Sequence, residues 1–108
     1  MEKRYNLIFD EVMIKQLKSL GKDANIRYLI SNMLDKIEIL GDLAGKILDS
    51  QLHIYEIKNK HPPLRLYFKP IVNSNNIYIF EYDMKTSSQK QQKTIEKIKF
   101  KGLNIFKK

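Results

Sequence analysis

The 108-residue chain contains no cysteine, which excludes disulfides, cysteine-based zinc sites and thiol nucleophiles. A metal site would depend on His53, His61 and carboxylates, so neither a metal nor another cofactor is expected. The apolar runs are short, as at residues 28–30, and none could span a membrane. The N-terminal sequence also lacks the apolar region of a signal peptide. These absences predict a soluble cytoplasmic protein.

Positive charge is in excess, and the excess is confined to one half of the chain. Twenty Lys and Arg residues stand against twelve Asp and Glu residues, which gives a net charge of +8. Residues 1–50 contain eight basic and eight acidic side chains, so the whole excess lies in residues 51–108. A general bias towards lysine would not leave the first half neutral. The asymmetry favours a basic surface that binds a polyanion, most simply a nucleic acid.

The length allows a single domain, residues 1–108, and 43% of the residues are hydrophobic, which is enough for a packed core. The first half has helical periodicity. A short β-rich run at residues 5–9 precedes Asp10, which is placed to cap a helix. Asp23 precedes a second and longer helical stripe, which ends before Gly41. Residues 10–41 are therefore predicted to form an antiparallel helical hairpin.

After residue 51 the periodicity changes from helical to alternating. Residues 52–58, 64–69 and 77–83 predict three consecutive strands of an antiparallel meander. Residues 42–51 are interpreted as a connecting segment, and a polar helix is predicted from Ser87 or Ser88 to about Phe100. The element order βααβββα predicts an α+β fold: a two-layer, mainly antiparallel sheet of about four strands packed against the helical hairpin.

The middle strand of the meander separates two kinds of side chain. Its apolar positions are Leu64, Leu66 and Phe68, and they alternate with three polar positions, Arg65, Tyr67 and Lys69. The apolar set is expected to face the hairpin, because nothing else in the chain can cover it. The polar set is then expected to be exposed.

A basic and aromatic surface follows from this assignment of faces. Its expected members come from the three strands and the loop between the first two: Lys58, Lys60, His61, Arg65, Tyr67, Lys69, Tyr82 and Lys85. Cations interleaved with aromatic rings suit a nucleic-acid backbone with stacked bases. Exposed strand residues are often Lys, Arg or Tyr in any protein, so a purely structural interpretation stays open.

Three segments resemble the RelE/ParE toxin superfamily. Residues 52–58 (LHIYEIK) and 64–68 (LRLYF) are similar to its paired-strand motif, approximately L-x-x-Y-E-L-R followed by Y-R-x-x-Y. Residues 82–86 (YDMKT) resemble the F-V-K-K-T ending of the third strand in the HigB-like branch. The predicted element order also agrees, so the resemblance extends over most of the chain and implies a RelE-like toxin domain.

The resemblance implies a toxin of a type II toxin–antitoxin system, in the RelE/HigB-like branch of ribosome-dependent mRNA endoribonucleases. In such metal-free enzymes a ribose 2′-hydroxyl attacks the adjacent phosphate. Arg65 is then expected to stabilise the phosphate, and Lys58 and Lys85 to share its charge. Tyr82 or His61 is a candidate for proton transfer. Further RNA contacts are expected from a second set of residues: Lys60, His61, Tyr67, Lys69 and Lys90.

The same resemblance implies two macromolecular partners and no membrane. One is mRNA on the ribosome. The other is a cognate acidic antitoxin, which would form a hetero-oligomer with the toxin and cover its basic face.

Two positions depart from the motifs. Lys58 stands where the superfamily usually has arginine, and lysine cannot reproduce the bidentate fork that arginine offers to a phosphate. Met84 stands where the first lysine of a pair is usual, which removes a charge. These departures leave two alternatives open: a ParE-like toxin that inhibits a topoisomerase, or a non-catalytic RNA-binding domain on the same fold.

Overall fold

The computed structural model describes residues 2–84 and 88–105. Its strands are β1 (Asn6–Phe9), β2 (Lys46–Asp49), β3 (Ile54–Asn59), β4 (Leu64–Pro70) and β5 (Asn76–Met84). Its α-helices are α1 (Glu11–Ser19), α2 (Ala24–Leu40) and α3 (Ser88–Ile105), with 3₁₀ turns at Leu20–Lys22 and Gly41–Ala44. The strands form one sheet in the order β1-β5-β4-β3-β2, in which β1 and β5 are parallel and the other pairs are antiparallel. The predicted α+β architecture is confirmed.

Helices α1 and α2 form the predicted hairpin on one face of the sheet, here called the hairpin face. Both helices begin at an aspartate: Asp10 accepts a hydrogen bond from the Val12 amide, and Asp23 accepts one from the Ile26 amide. The core beneath them contains buried side chains from both helices and from β3, β4 and β5. Leu64, Leu66 and Phe68 are fully buried there, as predicted.

A fourth antiparallel strand, β2, lies where the sequence predicted only a connecting segment. It pairs with the start of β3, Lys46 opposite Glu56 and Ile47 opposite Tyr55. A Cβ atom on Gly45 would lie 2.2 Å from the Glu56 carbonyl oxygen, so the chain reaches β3 only because this residue lacks a side chain. Four residues at a sheet edge are too short to show alternation in the sequence.

The second face of the sheet is covered by α3, whereas the sequence predicted an open surface there. Ile98 of α3 packs with Ile54, Tyr67 and Phe80 in a second apolar cluster, to which Ile95 adds. We call this the α3 face. Tyr67 and Lys69 are fully buried, which contradicts their predicted exposure. The helix is also longer than predicted, since it continues beyond Phe100 to Ile105.

A bulge in β5 explains why Tyr82 lies on the face of the sheet opposite to the predicted one. Tyr67 pairs with Glu81 and Phe68 with Ile79, so Phe80 is an extra residue in β5. Beyond this point every side chain of β5 changes face relative to simple alternation. Tyr82 therefore packs on the hairpin face, although it was predicted on the same face as Arg65.

In the described part of the chain, no helix is both long and apolar enough to cross a lipid bilayer.

The burial of Lys69 predicts an unusual pH dependence of stability. Burial lowers the pKa of Lys69 from 10.5 to about 8, although Asp49 opposes the shift, and the Lys69 ammonium donates a hydrogen bond to the Leu52 carbonyl. Between about pH 8 and 10.5 the folded protein has lost this proton and the unfolded chain retains it. The free energy of unfolding should therefore rise with pH in this window, relative to that of a Lys69→Met variant.

Urea unfolding from pH 7 to 10.5 measures this difference. Lys93→Met is the control, because Lys93 is an exposed lysine of α3 and its removal should leave the pH profile of the wild type unchanged. Parallel profiles for the wild type and Lys69→Met would show that α3 does not bury this ammonium group.

Candidate nucleic-acid interface

An open cavity of about 290 Å³ lies at the loop between β3 and β4. Four side chains singled out in the sequence line it: Lys58, Lys60, His61 and Arg65. Lys58 lies directly opposite Arg65 in the ladder of β3 and β4, so the register of this pair places both cations at one end of the sheet. We call this the loop cavity.

The loop cavity is shaped by the ends of the two strands and by a short prolyl connection. The Asn59 side-chain amide donates a hydrogen bond to the Pro62 carbonyl at 3.0 Å and closes the loop on itself. Lys58, Lys60 and His61 are exposed around it. Cations and an imidazole thus stand at the rim, in contact with water.

The guanidinium of Arg65 is held in place by two neighbours. Its Nη1 donates to the Glu56 carboxylate, at 3.1 Å to Oε2 and 3.3 Å to Oε1. The second neighbour is Gln91 of α3. With its side-chain amide oriented so that the oxygen faces Arg65, this oxygen accepts hydrogen bonds from Nη1 and Nε. The Arg65 side chain is 18% exposed and that of Glu56 is 9% exposed. Arg65 is therefore a partly buried ion pair and not the open cation that alternation predicted.

The aromatic and cationic residues expected beside Arg65 lie beneath α3. Burial raises the pKa of Tyr67 to about 12, the charges of Asp83 and Glu56 add to the shift, and Arg65 and Gln91 oppose it. The hydroxyl group therefore stays protonated at neutral pH, and the buried ring has no exposed face for a base. Lys69 is also fully buried on the α3 face, so neither residue belongs to an exposed interface.

Tyr82 lies on the opposite side of the sheet from Arg65. The Gln16 side chain bonds to both its backbone N–H and its carbonyl, which ties β5 to α1 at this point. Burial raises the pKa of the Tyr82 phenol, and the charge of Asp23 adds to this effect. Among the described residues that were predicted to transfer protons, only His61 shares a cavity with Arg65.

The two remaining predicted residues lie outside the loop cavity. Lys90 is exposed on the first turns of α3. Lys85 falls at 85–87, outside the described residues.

Most of the excess positive charge of α3 is used to hold the helix on the sheet. Its ion pairs are Lys97 with Glu81 at 2.8 Å, Lys99 with Asp49 at 3.4 Å and Lys101 with Asp10 at 3.0 Å. By contrast, Lys58 and Lys60 form no salt bridge with any carboxylate in residues 2–84 and 88–105. The loop cavity therefore has two exposed lysines whose charge no carboxylate of the described residues neutralises.

Several solved structures have the same fold. Isolated E. coli RelE toxin is 22% identical, with a TM-score of 0.63, and the match covers 87% of this chain and 98% of RelE. The YoeB–YefM complex from Staphylococcus aureus is 23% identical with a TM-score of 0.57, covering 74% of this chain and 95% of the matched chain. A RelBE toxin–antitoxin complex from Mycobacterium tuberculosis is 17% identical with a TM-score of 0.53, covering 81% and 98%. No protein-family model and no curated protein sequence matches the chain.

These similarities show that the chain has the RelE-like fold. The predicted resemblance to the RelE/ParE superfamily is confirmed at the level of the fold.

The buried ion pair makes Arg65 important for stability. Replacing Arg65 by alanine leaves the Glu56 carboxylate buried without its partner, so Arg65→Ala should lower the free energy of unfolding by about 1–3 kcal/mol. The double variant Arg65→Ala/Glu56→Gln should recover part of this loss, because a neutral amide is less costly to bury than a carboxylate.

Urea denaturation of the four members of this double-mutant cycle tests the prediction, with exposed Lys60→Ala as a control that should be near neutral. Wild-type stability in Arg65→Ala would mean that the pair contributes nothing to the fold.

Proposed function

We propose that this chain is the toxin of a type II toxin–antitoxin pair and cleaves mRNA on the ribosome. The observation that carries the proposal is the loop cavity on a RelE-like fold, where a fixed guanidinium, two lysines and an imidazole meet. A phosphodiester needs cations around its oxygens and a group that moves protons, and this cavity offers both.

In the proposed reaction, the ribose 2′-oxygen forms a bond to the adjacent phosphorus and the bond from phosphorus to the 5′-oxygen breaks. The products are a cyclic phosphate and a 5′-hydroxyl. The proton of the 2′-hydroxyl must be accepted, and the departing 5′-oxygen must receive one. His61 is assigned to proton transfer, because the ring nitrogens of imidazole can accept and donate a proton and this side chain lines the cavity beside Arg65.

Arg65 is assigned to the stabilisation of the phosphate. Glu56 and Gln91 occupy Nη1 and Nε, while Nη2 makes no hydrogen bond to any residue that the structure describes. Nη2 is assigned to the phosphate oxygens, and the ion pair with Glu56 fixes the guanidinium before charge develops on the phosphate. Glu56 is a positioning residue, and Lys58 and Lys60 add positive charge around the substrate.

An acidic antitoxin is the proposed protein partner in the cytoplasm. The matched structures include RelE with RelB and YoeB with YefM, each a toxin–antitoxin complex. On this chain, Lys58 and Lys60 carry charges that no carboxylate of the described residues neutralises. Such cations attract an acidic chain and speed its association, which supports a hetero-oligomer that covers the loop cavity.

A toxin that binds its target without cleaving it is the second candidate. Two observations favour it: Glu56 neutralises part of the charge of Arg65, and Tyr82 lies on the other face of the sheet. A topoisomerase-inhibiting toxin of the ParE type would need neither Arg65 nor Tyr82 for a chemical step.

Single-turnover cleavage of mRNA on programmed ribosomes separates the two candidates. His61→Gln should reduce the rate by about 10²–10⁴-fold, as expected on loss of a proton-transfer group. Arg65→Lys should reduce it by about 10²–10³-fold, because lysine restores the charge without the planar fork. Lys22→Met removes an exposed cation that does not line the cavity, and this variant should cleave at the wild-type rate.

A result that contradicts the cleavage of mRNA can also be measured. A wild-type protein that arrests growth and leaves ribosome-bound mRNA intact would establish the binding toxin in place of the endoribonuclease.

A further inference from the structure

Two further cavities lie next to the loop cavity along β3. One, of about 240 Å³, is lined by Lys36, Lys46, Glu56 and Lys58 among others. The second, of about 220 Å³, again includes Lys36 and Lys58. Because Lys58 lines all three cavities, they are neighbours and together make up one stretch of open surface along the edge of β3. We call it the β3 groove.

The groove exists because β2 ends early. Strand β2 pairs with β3 only as far as Lys46 opposite Glu56, and preceding Gly45 then leads away into the 3₁₀ turn. Beyond Glu56, residues 57–59 are paired with β4 but have no strand of the described chain on their other side. The open edge of β3 is therefore the floor of the groove, and α2 supplies Lys36 at its side.

The charge of the groove is strongly positive. Its four lysines are all exposed, and none forms a salt bridge with any carboxylate among the described residues: Lys36, Lys46, Lys58 and Lys60. Glu56, the acidic residue in its lining, is only 7% exposed and is already paired with Arg65. A ligand in this groove meets cations almost throughout.

We propose that the β3 groove is the path of a single RNA strand, in which Lys36 and Lys46 bind phosphates next to the one held at Arg65. The assignment of RNA as the ligand rests on the proposed function. Lys46 and Lys36 belong to the half of the sequence that is neutral in net charge, so charge counting along the chain does not reveal them.

The spacing of the groove favours a strand over a compact anion. Lys46 lies opposite Glu56, and Lys58 follows two residues later along β3, which is about 7 Å in an extended strand. Lys60 continues this direction towards the loop cavity. Cations in a row suit a polymer with regularly spaced charges.

The experiment measures affinity for a 2′-O-methyl RNA oligonucleotide, which cannot be cleaved, as a function of salt concentration. Loss of two phosphate contacts in Lys36→Met/Lys46→Met should reduce the slope of log affinity against log salt by about 1.4, since each contact with a single strand contributes about 0.7. Lys15→Met/Lys22→Met removes the same charge from exposed positions outside the groove and should keep the wild-type slope.

Two results would overturn the inference. One is a wild-type slope in Lys36→Met/Lys46→Met. The other is that this variant loses affinity for a glutamate-rich peptide and not for RNA, which would assign the groove to an acidic protein segment. Failure of the proposed function gives a different pattern, because RNA would bind with the expected slopes while ribosome-bound mRNA stays intact.

Discussion

Carboxylates that lie on or beside the α3 face link α3 to the sheet, together with the apolar cluster around Ile98. Asp10 is the clearest example, because one carboxylate caps α1, accepts a 2.6 Å hydrogen bond from the Tyr78 hydroxyl and pairs with Lys101 of α3. Burial alone would raise the pKa of Asp10, but these three contacts hold it below its ordinary value. The hairpin, the sheet and α3 meet at this group. Glu81 and Asp49 hold other parts of the helix through Lys97 and Lys99.

The pairing of lysines of α3 with carboxylates affects where a polyanion can bind. The lysines of α3 that are paired with carboxylates stabilise the fold, and Arg65 is fixed by Glu56 and Gln91 at the edge of the same face. Exposed cations without a carboxylate partner among the described residues are grouped around β3, where the short strand β2 leaves the sheet edge open. The proposed site is therefore where the sheet is least covered.

The sequence was sufficient to predict the helices and strands whose apolar residues recur with a clear period. The hairpin, the meander and the burial of Leu64, Leu66 and Phe68 all follow from apolar spacing. Alternation could not reveal that a polar helix covers Tyr67 and Lys69, because such residues occur equally on exposed strands. The displacement of Tyr82 depends on the single bulge at Phe80, and a bulge is a property of strand pairing that no local pattern records.

The candidate site was predictable in part for the same reasons. Lys58 and Arg65 lie opposite each other on two paired strands, and Lys60 and His61 lie in the loop that joins these strands, so the sequence predicts their proximity correctly. Lys36 and Lys46 join them only through the packing of α2 and the early end of β2. The ion pair between Arg65 and Glu56 was missed because Arg65 was expected to face water.

A crystal structure of the chain with a non-cleavable RNA oligonucleotide would test the central claim most directly. The account predicts a phosphate oxygen within hydrogen-bond distance of Nη2 of Arg65, with the backbone continuing past Lys58 towards Lys46 and Lys36. RNA bound instead along the outer surface of α3, with the loop cavity and the β3 groove empty, would contradict it.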